Sequence, residues 1–342
     1  MQDFDLNSII RLISSLFLPR PGNLEPVAPS VRANEKRIKE AIKLNQRIFC
    51  ILFLVSLATP FPVDVSASGR TVVDPAGRTI EVPTDPRRVV SLAPSITEII
   101  FALGQQTRLQ GVSRFSDFPA AAEKLPKVGS YVQLDAERIV ALQPDLCIGI
   151  KDGNPLVVVE QLEKLGIPVF AVNPVDLETA MQSIAAIGDL LNASAPAQSI
   201  VNDMRRRIHK VAEATAQIAH KPRVFVQIGV SPIVSVGDGT FINQLITTAG
   251  GINVAAGPNP YPRFSVEQVI ALAPEVLVIS SMARATVFEE VKARWMQWPA
   301  IPAVRNQAVY IAPTNIFDRP TPRLVDGLEQ MARYIHPQLF RE

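Results

Sequence analysis

The chain has 342 residues, of which 47% are hydrophobic and 19% charged, with 34 Lys/Arg against 32 Asp/Glu for a net charge of +2. This apolar and nearly balanced composition excludes a disordered polyelectrolyte. It also lacks the basic excess that proteins use to displace phosphate counterions, so no nucleic-acid partner is expected. The length suffices for two hydrophobic cores.

Residues 1–46 carry an amphipathic stretch, Ile9-Ile-Arg-Leu-Ile-Ser-Ser-Leu-Phe-Leu18, and a charged segment from Arg32 to Lys43. They read as a membrane-surface helix or as an upstream extension without a role. The second reading is preferred, because no motif in the stretch demands a function. Next comes the apolar run Ile48-Phe-Cys-Ile-Leu-Phe-Leu-Val-Ser-Leu-Ala58, preceded by Lys43 and Arg47. It falls short of the roughly 20 residues that span a bilayer as a helix. Small residues at Val65-Ser-Ala67 follow, so the run reads as a secretory signal with the mature chain starting near Ser68. An uncleaved anchor is the alternative. Removing residues 1–67 takes eight basic and six acidic residues from 34 and 32, leaving 26 of each. The mature protein is formally neutral and suits an uncharged or locally recognised ligand.

The lead-in, residues 68–87, contains two alternating runs around Asp74-Pro-Ala-Gly77, the pattern of a β-hairpin. A first α/β lobe is expected over residues 88–176. Its strand Arg88-Val-Val-Ser-Leu-Ala-Pro94 feeds a helix over 96–103, with Ser95-Ile-Thr-Glu98 as a capping box. Residues 177–221 read as a helical connection. Pro196 to Ala219 runs without a further glycine or proline, about 36 Å at roughly 1.5 Å per residue. A second lobe follows over 222–342, from Arg223-Val-Phe-Val-Gln-Ile-Gly229 to a helix over 321–335.

One phrase occurs twice. Glu137-Arg-Ile-Val-Ala-Leu-Gln-Pro-Asp-Leu-Cys-Ile148 returns 130 positions later as Glu267-Gln-Val-Ile-Ala-Leu-Ala-Pro-Glu-Val-Leu-Val278. Each copy predicts a short helix capped by Asp135 or Ser265, closed before a proline and followed at once by an apolar strand. The fold class expected is therefore α/β: two Rossmann-like lobes with parallel sheets, joined by a single long helix, with a ligand cleft between them.

No Walker loop, dinucleotide fingerprint or nucleophile elbow is present in the sequence. His209 and His220 are eleven residues apart on the expected connecting helix, about 16 Å of rise, too far to share a metal. His336 follows the last helix, where a favourable dipole interaction explains it. Cys147 falls in an apolar strand and is expected to be buried and inert. The aromatic residues Phe115, Tyr131 and Tyr261 fall in loops. Tyr131 and Tyr261 each precede their copy of the repeat by six residues, so both are expected to face one cleft.

Residues 88–335 resemble the cobalamin-binding periplasmic proteins of ABC importers, within a larger group that also binds ferric siderophores and haem. The phrases that carry the resemblance are Arg88-Val-Val-Ser-Leu-Ala-Pro-Ser-Ile-Thr-Glu98, Gly111-Val-Ser-Arg-Phe-Ser-Asp-Phe-Pro119, Glu137-Arg-Ile-Val-Ala-Leu-Gln-Pro-Asp145 and Phe317-Asp-Arg-Pro-Thr-Pro-Arg323. The resemblance implies a monomeric, non-enzymatic, periplasmic protein with no resident cofactor or metal. It would carry a corrinoid (cobalamin) to an ABC permease dimer in the inner membrane. It further implies Phe115, Tyr131, Tyr261 and Asn315 as ligand contacts, and Glu137 and Glu267, one per lobe, as contacts to permease arginines. Each glutamate also occupies a first helical turn, where an acid is favourable by roughly 0.3 to 1 kcal/mol.

Haem is the chief rival ligand, since haem relatives place a tyrosine directly after the glycine matching Gly129, whereas Ser130 intervenes here. A ferric siderophore met by Arg114 or Arg263 is a third choice. An enzyme on the same architecture ranks last, for want of cysteine and histidine ligands.

Overall fold

A computed structural model describes residues 69–280 and 286–340. The expected secretory signal and the amphipathic stretch at residues 9–18 lie outside the described residues. No described helix is long and apolar enough to cross a membrane.

The described residues open with an antiparallel hairpin, β1 (Gly69–Val73) and β2 (Thr79–Pro83). The turn between them is fixed by Asp74, whose carboxylate accepts from the Arg78 backbone and side chain. Next come β3 (Val89–Ser91), α1 (Pro94–Ala102), β4 (Leu109–Val112) and the short pair β5 (Gly129–Ser130) and β6 (Gln133–Leu134). After them follow α2 (Ala136–Ala141), β7 (Leu146–Ile150), α3 (Leu156–Lys164) and β8 (Val169–Val172). Helices α4 (Leu177–Leu190) and α5 (Ser194–Ala216) lead into the second half. That half comprises β9 (Arg223–Gln227), β10 (Ile233–Val234), α6 (Phe241–Thr248), β11 (Ile252–Asn253), β12 (Arg263–Phe264) and α7 (Val266–Leu272). It ends with β13 (Val276–Ile279), α8 (Thr286–Trp295), α9 (Pro302–Arg305), β14 (Val309–Ile311), α10 (Thr314–Phe317) and α11 (Leu324–Ile335).

Two four-stranded sheets result, ordered β4-β3-β7-β8 and β11-β9-β13-β14, and every pairing within them is parallel. The second sheet repeats the order of the first, strand for strand. The repeated phrase accordingly supplies α2 and β7 in one lobe and α7 and β13 in the other. Asp135 accepts from the Arg138 backbone N–H, while Ser265 and Gln268 form a reciprocal capping box.

Alternate residues of each central strand enter cores on opposite faces. In β13, Val276 and Val278 pack toward Leu245, Leu328 and Met331, while Leu277 and Ile279 pack toward Phe225 and Trp295. Such sheets are buried on both faces, which is why their strands read as continuous apolar runs rather than alternating ones.

The long connecting helix is α5. It starts at Ser194, so Pro196 lies inside its first turn, where a missing N–H costs no helical bond. The chain turns at Asn192, at φ +57°, and α4 packs back along α5. Leu177 and Ala180 of α4 belong to the core of the second lobe, whereas Ile184, Ile187 and Leu190 belong to that of the first. Residues of α5 divide the other way, with Val201 and Met204 in the first core and Val211 in the second. The connection is thus a two-helix spine shared by both lobes.

Two local expectations are corrected. Ser95 and Glu98 form no capping box: α1 begins at Pro94 without a side-chain cap, and Glu98 turns to Arg323. His220 lies beyond the end of α5 and pairs with Glu275 at 2.9 Å.

Candidate functional site

In a parallel sheet the strands' carboxyl ends and the loops after them form one edge, and ligands bind where the chain runs off in opposite directions from that edge. Here β4 and β7 flank β3, and β11 and β13 flank β9. A cavity of about 630 Å³ lies between the lobes at this edge of both sheets. The first lobe lines it with Ala93 and Pro94 after β3, Tyr131 in the turn between β5 and β6, Asp152 and Gly153 after β7, and Asn173 after β8. The second contributes Ile228, Thr240 and Phe241, then Tyr261, and finally Asp318 and Arg319.

Tyr131 is positioned from several directions. Asn154 accepts from the Ile150 N–H at 2.8 Å and donates to the carbonyls of Leu92 at 3.1 Å and Tyr131 at 2.8 Å. One buried amide therefore joins the ends of β3 and β7 to the tyrosine's loop. Gly153, at φ +123°, lies flat against the ring, where a Cβ would come within 2.9 Å of Tyr131 Cε2. On the opposite wall, the Tyr261 N–H donates to Asn259 Oδ1 at 3.0 Å. Its loop is paired through the Gly237 N–H to the Pro260 carbonyl and the Ser235 N–H to the Pro262 carbonyl. Gly237 is required there, since a Cβ would collide with the Asn259 carbonyl.

The two rings share one electrostatic environment. Burial raises the Tyr131 phenol above its ordinary range, helped by the negative charges of Asp152 and Asp318. Burial and Asp152, with Tyr131, do the same to Tyr261. Both hydroxyls therefore stay protonated near neutral pH and can donate. Asp318 is pushed up to about 6, mainly by burial, against the opposing effects of its hydrogen bond from Ser280 and the nearby Arg319. Arg319 is the one basic lining residue among the described residues. It is turned to the first lobe, donating to Asp117 Oδ1 at 2.7 Å and to the Phe115 carbonyl at 3.2 Å.

Of the four ligand contacts expected from sequence, Tyr131 and Tyr261 come together at the cavity. Phe115 and Asn315 are not among its lining residues. Phe115 is 53% exposed and meets the second lobe through its carbonyl. Asn315 lies in α10, one turn before Asp318, which does line the cavity. Sequence reasoning passed over Asp152, Asp318 and Arg319. For the last two the signal was available, since both stand in the phrase Phe317-Asp-Arg-Pro-Thr-Pro-Arg323.

Glu137 and Glu267 are exposed, each the second residue of its helix. Because α2 and α7 each lead into a parallel strand, their N-termini lie on the same edge as the cavity. The Ser265 hydroxyl and the helix-end N–H hold the Glu267 carboxyl below its usual range. Among the described residues, no group of His, Cys, Asp and Glu could hold a metal ion. Cys147 is buried in β7 and its thiol is pushed up to about 12, so it is inert. His336 is also buried; its ring contacts the Gly250 carbonyl at 3.3 Å, and burial lowers its pKa, which favours the neutral ring over the charged dipole partner expected from sequence.

Residues 89–316 match the family model described as periplasmic binding protein. A vitamin B12-binding protein of Vibrio parahaemolyticus is 34% identical over 249 residues, 72% of this chain and 88% of the relative. The crystal structure of the periplasmic vitamin B12 binding protein of Vibrio cholerae is similar with a TM-score of 0.66 at 30% identity, covering 76% of this chain and all of that one. A periplasmic heme binding protein from Pseudomonas aeruginosa is similar with a TM-score of 0.68 at 29% identity, covering 74% and 94%. With two like parallel sheets, a cavity between them and matches that span most of both chains, the protein belongs to the periplasmic binding protein family.

Proposed function

We propose that this chain is the substrate-binding protein of an ABC importer, carrying one corrinoid of the cobalamin class in the cavity between its lobes. The observation that carries the reading is the placement of Tyr131 and Tyr261 on opposite walls of one cavity whose lining, among the described residues, holds two carboxyl groups and a single, already engaged arginine. Two protonated phenols give flat apolar faces for a macrocycle and donors at their tips. The carboxyl groups favour a ligand edge rich in N–H donors over an anionic one. Arg114 and Arg263, the expected partners of a ferric siderophore, are exposed and absent from the lining.

Similarity to vitamin B12-binding proteins of Vibrio supports this ligand over haem, and similarity to an ABC transporter substrate-binding lipoprotein of Bacillus subtilis, 28% identical over 80% of this chain, supports the transport role. In this reading the protein works as a monomer in the periplasm, reached through the N-terminal signal, and does no chemistry on its cargo. Glu137 and Glu267 present one carboxylate per lobe to arginines of a two-fold symmetric permease, where each forms a charge-assisted hydrogen bond.

Titration of residues 68–342 with cyanocobalamin, haemin and a ferric hydroxamate, followed by calorimetry and absorbance, tests the ligand. One-to-one binding of cyanocobalamin is expected. Binding of haemin with a tyrosinate charge-transfer band, and none of cobalamin, overturns it.

A further inference from the structure

The first-lobe segment Arg114-Phe-Ser-Asp-Phe118 is anchored by buried polar groups. The Ser116 hydroxyl is bonded to those of Thr97 at 2.8 Å and Ser113 at 2.9 Å, and all three residues are buried. Lys127 Nζ donates to the Ser116 carbonyl at 2.9 Å and to the Ala122 carbonyl at 3.0 Å. The next residue, Asp117, is exposed and is not among the residues that line the cavity. It nevertheless receives the guanidinium of Arg319 from the other lobe, Nη1 to Oδ1 at 2.7 Å, while Nη2 donates to the Phe115 carbonyl at 3.2 Å.

The Arg319 side chain is only 14% exposed, so water screens its charge poorly, and whatever balances that charge matters to the cavity it lines. With Asp117 in place the cation is balanced from outside the cavity. Among the described residues, the charged lining groups left to meet a ligand are then Asp152 and Asp318. Without Asp117 the guanidinium has two other courses. It can turn to Asp318, whose carboxyl already feels its charge, or it can face the ligand. Either course leaves the wall more positive by one charge and makes it a better host for an anion.

We propose that Asp117 is a positioning residue that sets ligand specificity from outside the cavity. By holding Arg319 against the first lobe, it denies that cation to a ligand carboxylate and keeps the site selective for uncharged amide edges. The inference rests on the corrinoid reading above and extends it to a residue that does not line the cavity. Specificity of this kind comes from withholding a favourable partner from the wrong ligand, not from adding a contact to the right one.

The test compares cyanocobalamin with its separated monocarboxylic acids, each having one peripheral amide hydrolysed, by calorimetry on the wild type and on variants of Asp117. Asp117→Asn keeps an acceptor for Arg319 but removes the charge, and Asp117→Ala removes both. Each should raise the affinity for at least one monoacid, relative to cyanocobalamin, by roughly tenfold, the scale of one newly available charged partner. That gain should shrink as salt is added. Asp117→Glu, which retains the charge, should hold the ratios near those of wild type. Combining Arg319→Gln with Asp117→Ala should cancel the gain, because no cation is left to release, whereas mere loosening of the lobe contact would persist. Unchanged ratios in Asp117→Asn and Asp117→Ala, or a gain that survives the loss of Arg319, overturns the role of Asp117 and leaves the corrinoid reading standing. Failure of the wild type to bind cyanocobalamin overturns the corrinoid reading and this inference with it.

Discussion

Arg323 grips Glu98 through two parallel charge-assisted hydrogen bonds, Nε to Oε1 at 2.6 Å and Nη2 to Oε2 at 2.7 Å, joining the start of α11 to α1 of the other lobe. The Phe118 ring stacks on the guanidinium, whose central carbon is 3.5 Å from the ring centroid. Four positions earlier Arg319 ties the same segment to Asp117. Glu98 is almost completely buried, so this pair owes its value to mutual compensation rather than to surface attraction. Glu98→Ala leaves a guanidinium with much of its side chain buried and unpaired, and should cost about 3 to 5 kcal/mol of stability in urea unfolding. A midpoint equal to that of wild type would remove the pair from the forces that hold the lobes together.

Tyr131→Ala and Tyr261→Ala should each weaken cyanocobalamin binding by roughly 1 to 3 kcal/mol, the scale for losing an aromatic anchor. Gly153→Ala should do the same to the Tyr131 wall while leaving every tyrosine in place. Its methyl meets the ring, and φ +123° is strained for any residue with a Cβ. Calorimetry of the three variants checks this, and full affinity in all three would place the rings outside the binding surface.

Asp318 titrates near pH 6 in the folded protein against an ordinary value of 3.8. Between these two values the folded state holds more protons than the unfolded state, so stability falls as pH rises through the interval. Below about pH 4 both states are protonated and the penalty vanishes. Asp318→Asn should therefore flatten the curve between about pH 4 and 6 and be the more stable form at pH 7. Urea midpoints of both proteins across that range read the difference directly.

Glu137→Ala and Glu267→Ala should leave cyanocobalamin affinity unchanged, since neither side chain lines the cavity. Fold stability should also change little, because each side chain is exposed at a helix start. Uptake into liposomes holding the permease should fall with either change and most with both. Full uptake by the double variant would reduce the two residues to helix-end stabilisers.

Much of the architecture was legible because both sheets are buried on both faces, so their strands stand out as apolar runs such as Val276–Ile279, bounded by prolines and capping residues. Positional equivalence in the repeat was enough to bring Tyr131 and Tyr261 to one cavity. What the sequence concealed depends on long-range partners. Glu98 stands where a capping box needs an acid, yet an arginine 225 positions away takes it. Asn315 and Asp318 differ by one helical turn, and only the folded course of α10 decides which of them lines the cavity. Asn154 looks like an ordinary loop residue until its amide is seen joining three segments.

Because α4 and α5 each bury one end in the first core and the other end in the second, neither lobe possesses a complete interior of its own. Cutting the chain at the turn near Asn192 would strip each half of one helix that both cores need. The two lobes, alike in topology, are therefore bound to melt together as one cooperative unit, and a fragment carrying a single lobe would not stand in for the whole.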